Sequence, residues 1–129
     1  MDSKKFSDFI DAVINKTKRG VISWERLPST SSLAKQFSPS KSFICKFANG
    51  RMLLALDKAS GAPECFISPE ISLPYQRISS DNPEEVDGKL LRLYNLVYSQ
   101  FPSVESFIDA MIQFDADPND VHQDGDLPF

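Results

Sequence analysis

The sequence predicts an α+β domain, in which an antiparallel sheet of about four strands carries an N-terminal helix and two C-terminal helices, followed by a disordered acidic tail. Three observations support this class. Apolar residues recur at helical spacing near the N-terminus, strand-like runs surround an Asn-Gly pair in the middle, and two more helical stripes follow. We therefore divide the chain into a globular domain of residues 1–114 and a tail of residues 115–129.

The first predicted element is an amphipathic helix. Its apolar residues follow the i, i+3, i+4, i+7, i+8 spacing of one helical face and are Phe6, Phe9, Ile10, Val13 and Ile14. Basic residues crowd the last turn, and Gly20 can end the helix in the left-handed conformation. The pattern indicates a helix docked on a core.

A β-hairpin is predicted over residues 41–57. Asn49-Gly50 favours a two-residue type I′ turn. A β-rich run at residues 20–27, in which Ile22 and Trp24 alternate, precedes the hairpin, and a strand at residues 62–68 follows it. In that register the facing pairs are Phe43 with Leu56, Cys45 with Leu54, and Phe47 with Met52. Since all six side chains then share one sheet face, we expect Phe43 and Phe47 to lie in the core.

The rest of the domain is predicted to be helical. Asn82 can cap a helix that has Pro83 at its first position. The apolar stripe of this helix is Val86, Leu90, Leu93, Tyr94, Val97 and Phe101. After a break at Pro102-Ser103, a second short amphipathic helix is marked by Val104, Phe107, Ile108 and Met111.

Several function classes lack their sequence signals. No run of about 18 apolar residues is present and the N-terminus has no apolar signal core, so we expect a cytoplasmic protein that does not enter a membrane. Cys45 and Cys65 lie in strand-like runs, which indicates reduced core thiols. The one histidine, His122, lies in the acidic tail. Without nucleotide-binding, metalloprotease or hydrolase motifs, we expect no catalysis, no cofactor and no metal site.

The charge is distributed unevenly along the chain. Residues 1–60 carry a net +6, residues 61–114 a net −5 and residues 115–129 a net −5. A basic half with interleaved aromatic residues is typical of a surface for single-stranded DNA. The candidate DNA-binding residues are Trp24, Arg26, Lys41, Lys46 and Arg51. Alternatively, these cations only solvate the surface of the domain.

The tail ends in an acidic, apolar tip that suits protein binding. Phe129 can fill a pocket while its α-carboxylate pairs with a basic rim, and Pro128 restricts the backbone before docking. Asp124 and Asp126 can pair with basic side chains along the partner's surface, while Leu127 joins Phe129 in the apolar contact with that partner. The tip therefore has the features of a short linear peptide for a basic partner that has an apolar pocket.

The segment DGDLPF resembles the C-terminal tip of bacterial single-stranded-DNA-binding proteins, which end in an Asp run followed by Ile- or Leu-Pro-Phe. In that family the tip recruits replication, recombination and repair enzymes, so the resemblance implies such enzymes as partners. Gly125 occupies a position where that family usually has an acidic residue, which weakens the electrostatic attraction between the tip and a basic partner. The resemblance is confined to the tail, because that family has an OB-fold that begins with a strand, whereas this chain begins with a predicted helix.

Two hypotheses follow for the whole chain. In the first, the domain binds single-stranded DNA and the tip recruits DNA-processing enzymes. In the second, the chain is an interaction or inhibitor protein that does not bind DNA and uses the tip to engage the same enzymes. Both leave homo-oligomerisation open.

Overall fold

The computed structural model describes residues 1–114, which form one sheet with helices packed against it. In chain order the elements are α1 (Ser3–Lys18), β1 (Trp24–Arg26), β2 (Phe43–Phe47), β3 (Gly50–Leu56), β4 (Pro63–Ser68), β5 (Gln76–Ile78), α2 (Pro83–Tyr98) and α3 (Val104–Gln113). Short 3-10 turns lie at Ser32–Lys35 and Pro39–Lys41. The predicted α+β class and all three helices are confirmed, whereas the predicted tail of residues 115–129 lies outside the described residues.

The sheet is an antiparallel meander of five strands, in the order β1-β2-β3-β4-β5. The sequence predicts about four strands and treats residues 69–83 as a connection, so β5 is an addition. It has only three residues and pairs with β4 through Cys65 and Ile78. A Gln-Arg-Ile run is too short to show the alternation by which strands are recognised.

The main core lies between one sheet face and the helices α1 and α2. Its fully buried members include Phe6 and Ile10 from α1, Phe43 and Leu54 from the sheet, and Leu93 from α2. The helical periodicity predicts these positions because a 3.6-residue repeat turns the same stripe inward at every turn. Gly20 follows α1 with a φ of 72°, the left-handed conformation predicted for it.

The opposite sheet face is partly covered by the connection between β1 and β2. Leu53 and Ala55 point to this face and are fully buried. The Phe37 ring, from that connection, lies edge-on to the Phe66 ring at 5.0 Å between centroids. The Ser-rich connection between β1 and β2 therefore covers part of the second sheet face.

The hairpin register differs from the predicted one by two residues. Phe43 pairs with Leu54, Cys45 with Met52 and Phe47 with Gly50, so the turn is Ala48-Asn49. Ala48 takes the positive φ of 54°. A two-residue shift preserves side-chain facing because strands alternate with period two, so Phe43, Cys45, Met52 and Leu54 are buried as expected. Phe47 is the exception, and its expected place in the core is wrong, because it is 57% exposed.

Candidate functional site

An apolar groove lies beside the tip of the β2-β3 hairpin. It has a volume of about 250 Å³. One wall is the face of α1 that contains Phe9 and Val13, and the other is the hairpin tip together with the end of β4. The remaining lining residues are Ala12, Lys16, Ile22, Cys45, Phe47, Ala48, Gly50, Arg51, Met52, Ile67, Ser68 and Pro69. We call this feature the hairpin groove.

The hairpin turn holds Phe47 at the mouth of the hairpin groove. Phe47 is the last residue of β2 and is 57% exposed, whereas Cys45, two residues earlier on the same sheet face, is 4% exposed. An exposed phenylalanine is not unusual alone, but this ring lines an apolar groove and so forms part of a larger apolar surface. Its exposed face is available for stacking or for insertion of a partner's side chain.

Two cations stand at the rim of the hairpin groove. Lys16 reaches it from α1, and Arg51 reaches it from β3. The Arg51 guanidinium lies 5.2 Å from the centre of the Tyr75 ring, and its Nη2 donates to the Ile71 carbonyl at 3.4 Å. These contacts hold Arg51 in place, and its buried Nε has no hydrogen-bond partner among the described residues.

Lys46 adds a third cation at the hairpin, where strand alternation turns it to the sheet face opposite that of Phe47. It pairs with Arg51 across β2 and β3, and its side chain is exposed. Both residues line a shallow depression on the edge of the hairpin together with Glu25, which partly offsets their charge. We call Lys16, Lys46, Phe47 and Arg51 the hairpin surface, because these four residues combine an exposed ring with three positive charges.

Arg26 and Lys41 lie elsewhere, at the junction of α2 and α3. Arg26 Nη2 donates to the Phe101 carbonyl at 3.2 Å, and its guanidinium lies 5.6 Å from the centre of the Phe101 ring. Lys41 Nζ lies 3.0 Å from Glu105 Oε1, and the hydrogen bond and charge of Glu105 raise the pKa of Lys41 above its ordinary value. Both cations therefore contact their own domain, although each remains accessible to solvent.

Trp24 lies in the main core. Only 6% of it is exposed, and its indole Nε1 donates to the Thr17 hydroxyl at 3.1 Å. Stacking of a base on Trp24 would require the ring to leave α1 and break that hydrogen bond. The five candidate DNA-binding residues are thus divided among the core, the α2-α3 junction and the hairpin surface, and the pair on the hairpin surface is Lys46 and Arg51.

Two members of the hairpin surface, Lys16 and Phe47, are not among the DNA-binding residues predicted from the sequence. Lys16 follows Phe9, Ala12 and Val13 at i+7, i+4 and i+3, so helical spacing alone already placed it on the same side of α1 as the groove. The exposure of Phe47 had no such signal, because it depends on where α1 stops covering the sheet. The predicted tip residues Asp124, Asp126, Leu127, Pro128 and Phe129 lie outside the described residues.

The described residues offer little other site chemistry. Residues 1–114 contain no group of three or more His, Cys, Asp or Glu side chains placed to hold a metal ion. Nor does any helix in that range have the length and apolar character needed to cross a membrane. Cys45 and Cys65 are unpaired and buried, as the sequence predicts.

No protein-family model, curated protein or solved structure matches this chain.

Proposed function

We propose that the protein is a non-enzymatic, cytoplasmic component of DNA metabolism that binds single-stranded DNA and recruits DNA-processing enzymes. The DNA would be bound by the hairpin surface, and the enzymes by the tip at Asp124 to Phe129. The observation that supports DNA binding is the exposure of Phe47 in a groove that Lys16 and Arg51 also line, with Lys46 on the opposite face of the same hairpin. The recruiting part is supported by the resemblance of the tip to that of bacterial single-stranded-DNA-binding proteins.

The hairpin surface supplies the two interactions that sequence-tolerant binding of single strands needs. A base can stack on the exposed ring of Phe47, an interaction that contributes about 1–3 kcal/mol per base. The cations on either side can neutralise the adjacent phosphates, which releases counterions and makes affinity fall with salt. No metal or nucleophile is required for this activity.

The first test is fluorescence anisotropy of a labelled oligothymidine titrated with the full-length protein over a series of salt concentrations. Phe47→Ala should weaken binding by about 1–3 kcal/mol through loss of stacking. The double variant Lys46→Gln/Arg51→Gln should reduce the slope of log K against log salt by about 1.4, since each cation contributes about 0.7 on a single strand.

A matched control removes two cations at other places. Lys58 lies in the turn after β3, at the end opposite the hairpin tip, and Arg92 is exposed on α2. Lys58→Gln/Arg92→Gln has the same net charge as the test variant and should keep the wild-type salt slope. Equal losses in both double variants would show that binding follows net charge and would contradict the assignment to the hairpin surface.

A second candidate function is an interaction or inhibitor protein that uses the same tip but does not bind DNA. It is favoured by the internal contacts of Trp24, Arg26 and Lys41, three of the five candidate DNA-binding residues. DNA-binding domains are usually more basic than the net +1 of residues 1–114. Absence of binding by the wild-type protein at low salt would support this candidate and exclude the first.

A further inference from the structure

The apolar face of α3 points away from the domain. Six large apolar side chains of this segment are 49% to 79% exposed. They are Val104, Phe107, Ile108, Met111 and Ile112 in the helix and Phe114 directly after it. At about 100° per residue, these six positions share one arc of the helix. A surface helix ordinarily turns such an arc toward its own core. In α3 the apolar arc instead faces solvent. We call these six residues the α3 face.

Polar contacts on the other side of α3 hold this orientation. Glu105 Oε1 lies 3.0 Å from Lys41 Nζ, and the Tyr98 hydroxyl donates to Asp109 Oδ2 at 3.3 Å. Ala110 also faces α2 across a cleft that contains Tyr98. Because the acidic side of α3 contacts the domain, the α3 face is left without cover from residues 1–114.

The size of the α3 face fits a protein interface. With roughly 100 Å² exposed per side chain, the six residues present on the order of 600 Å², the upper end for the largest apolar patch on a typical monomer. A standard interface buries about 800 Å² on each partner. The α3 face therefore provides most of one side of a small interface.

The charges around the α3 face suit a second copy of the same chain. Between Val104 and Phe114 the only charged residues are Glu105 and Asp109, and both contact the domain. Two α3 faces can therefore meet without bringing like charges together. The chain's own tail suits the face poorly, since residues 115–129 contain five Asp and end in only three residues of apolar character.

We propose that the α3 face is a homodimer interface, in which α3 of one copy packs against α3 of a second copy around a two-fold axis. A two-fold pairing covers both apolar patches with each other and closes the assembly at two copies. Phe107 and Met111 supply the central side chains, of the kind that dominate the energetics of interfaces. This interface is separate from the hairpin surface and does not depend on DNA binding.

Sedimentation velocity of the full-length protein from about 1 to 200 μM tests the proposal, because an interface of this size is expected to give micromolar affinity. The wild-type protein should shift from monomer to dimer as its concentration rises. Phe107→Asp should raise the dimer dissociation constant roughly thirtyfold or more. Ile71→Asp is the control, since Ile71 is 65% exposed in the connection between β4 and β5 and should leave dimerisation unchanged.

A second measurement locates the interface. Ile108→Cys places a thiol near the middle of α3, where it should form an intermolecular disulfide under mild oxidation, while Ile71→Cys should not. The native thiols Cys45 and Cys65 are buried and contribute little background. A wild-type protein that stays monomeric throughout, open-ended assemblies, equal effects of the two Asp variants, or an Ile108→Cys dimer that does not cross-link would each overturn the proposal.

Discussion

Cys45 and Cys65 show how burial changes the chemistry of a single residue. They lie on β2 and β4, on either side of β3, and are 4% and 0% exposed. Burial disfavours the thiolate, so it raises the pKa of Cys45 to about 12 and raises the pKa of Cys65 as well. At neutral pH both thiols therefore behave as small apolar side chains and not as nucleophiles.

The raised pKa values predict a loss of stability in alkali. An unfolded thiol titrates near pH 8.5, so the contribution of each buried thiol is complete below that pH and declines as the pH rises toward the folded pKa. Above about pH 9 the free energy of unfolding should fall by about 1.4 kcal/mol per pH unit for each buried thiol. Urea unfolding between pH 8 and 11, in the presence of a reductant, measures this slope.

Cys45→Ala should make that slope shallower by the contribution of one thiol. Some slope will remain, because burial also raises the pKa of Cys65 and of Tyr94. Ile71→Ala removes an exposed side chain that does not titrate and should keep the wild-type slope. Identical slopes in wild type and Cys45→Ala would show that Cys45 titrates alike in the folded and unfolded states.

Among the elements, the β2-β3 hairpin packs closely against the end of β4 at Gly50. A Cβ atom on Gly50 would lie 2.5 Å from the Ser68 carbonyl oxygen and 2.8 Å from that of Pro69. Both oxygens belong to the backbone at the end of β4, where Ser68 is buried and its hydroxyl donates to the Glu70 and Leu73 carbonyls. The glycine thus permits β3 to approach β4, a role different from the positive φ that an Asn-Gly turn implies.

Gly50→Ala should therefore destabilise the fold by about 1–3 kcal/mol, as overpacking against an immovable neighbour does. Gly88→Ala is the matched control, since nothing lies within 4 Å of its added Cβ and it occupies the interior of α2. That change should stabilise the protein by about 0.5–1 kcal/mol through helix propensity. Urea denaturation at pH 7 measures both, and a Gly50→Ala protein as stable as wild type would show that β4 yields easily at this point.

The helices and central strands were predictable because their signals are local. Periodicity places Phe6, Ile10 and Leu93 inside without knowledge of what they contact. The hairpin register is accompanied by a close approach of Gly50 to Ser68, eighteen residues away, and such a contact leaves no local signal in the sequence. Periodicity likewise reveals that α3 has an apolar face but not which way it turns, because that depends on the pairing of Glu105 with Lys41.

The same limit applies to the candidate site. Composition identified the N-terminal half of the chain as basic and rich in aromatic residues. In the folded domain, however, Trp24 is buried in the core and Arg26 contacts Phe101. Only Lys46 and Arg51 could be expected to meet, because they are neighbours across a short hairpin. Lys16 joins them because α1 crosses the sheet at the hairpin tip, a tertiary arrangement that spacing along the chain cannot supply.

At the scale of the whole molecule, the proposed activities occupy separate parts of the chain. The hairpin surface draws on α1 and the β2-β3 hairpin, whereas α3 presents its apolar face from the C-terminal end of the domain. Since residue 115 follows α3 almost directly, pairing through α3 would bring together the starting points of two tails. Two linked tips raise the effective concentration of the second once the first has bound.

The C-terminal tip is the part of the chain proposed to bind DNA-processing enzymes. If the Phe129 ring is the buried anchor, Phe129→Ala should weaken docking to enzymes that bind the single-strand-binding protein tip by about 1–3 kcal/mol. Isothermal titration of such an enzyme with the full-length protein measures the change. Val121→Ala, which shortens another apolar side chain in the tail, should leave the affinity unaltered because it lies outside the terminal motif.

Loss of binding on deletion of residues 127–129, with unchanged anisotropy of a bound oligonucleotide, would separate recruitment from DNA binding. Equal affinity of the wild-type and Phe129→Ala proteins would instead refute the assignment of Phe129 as the anchor.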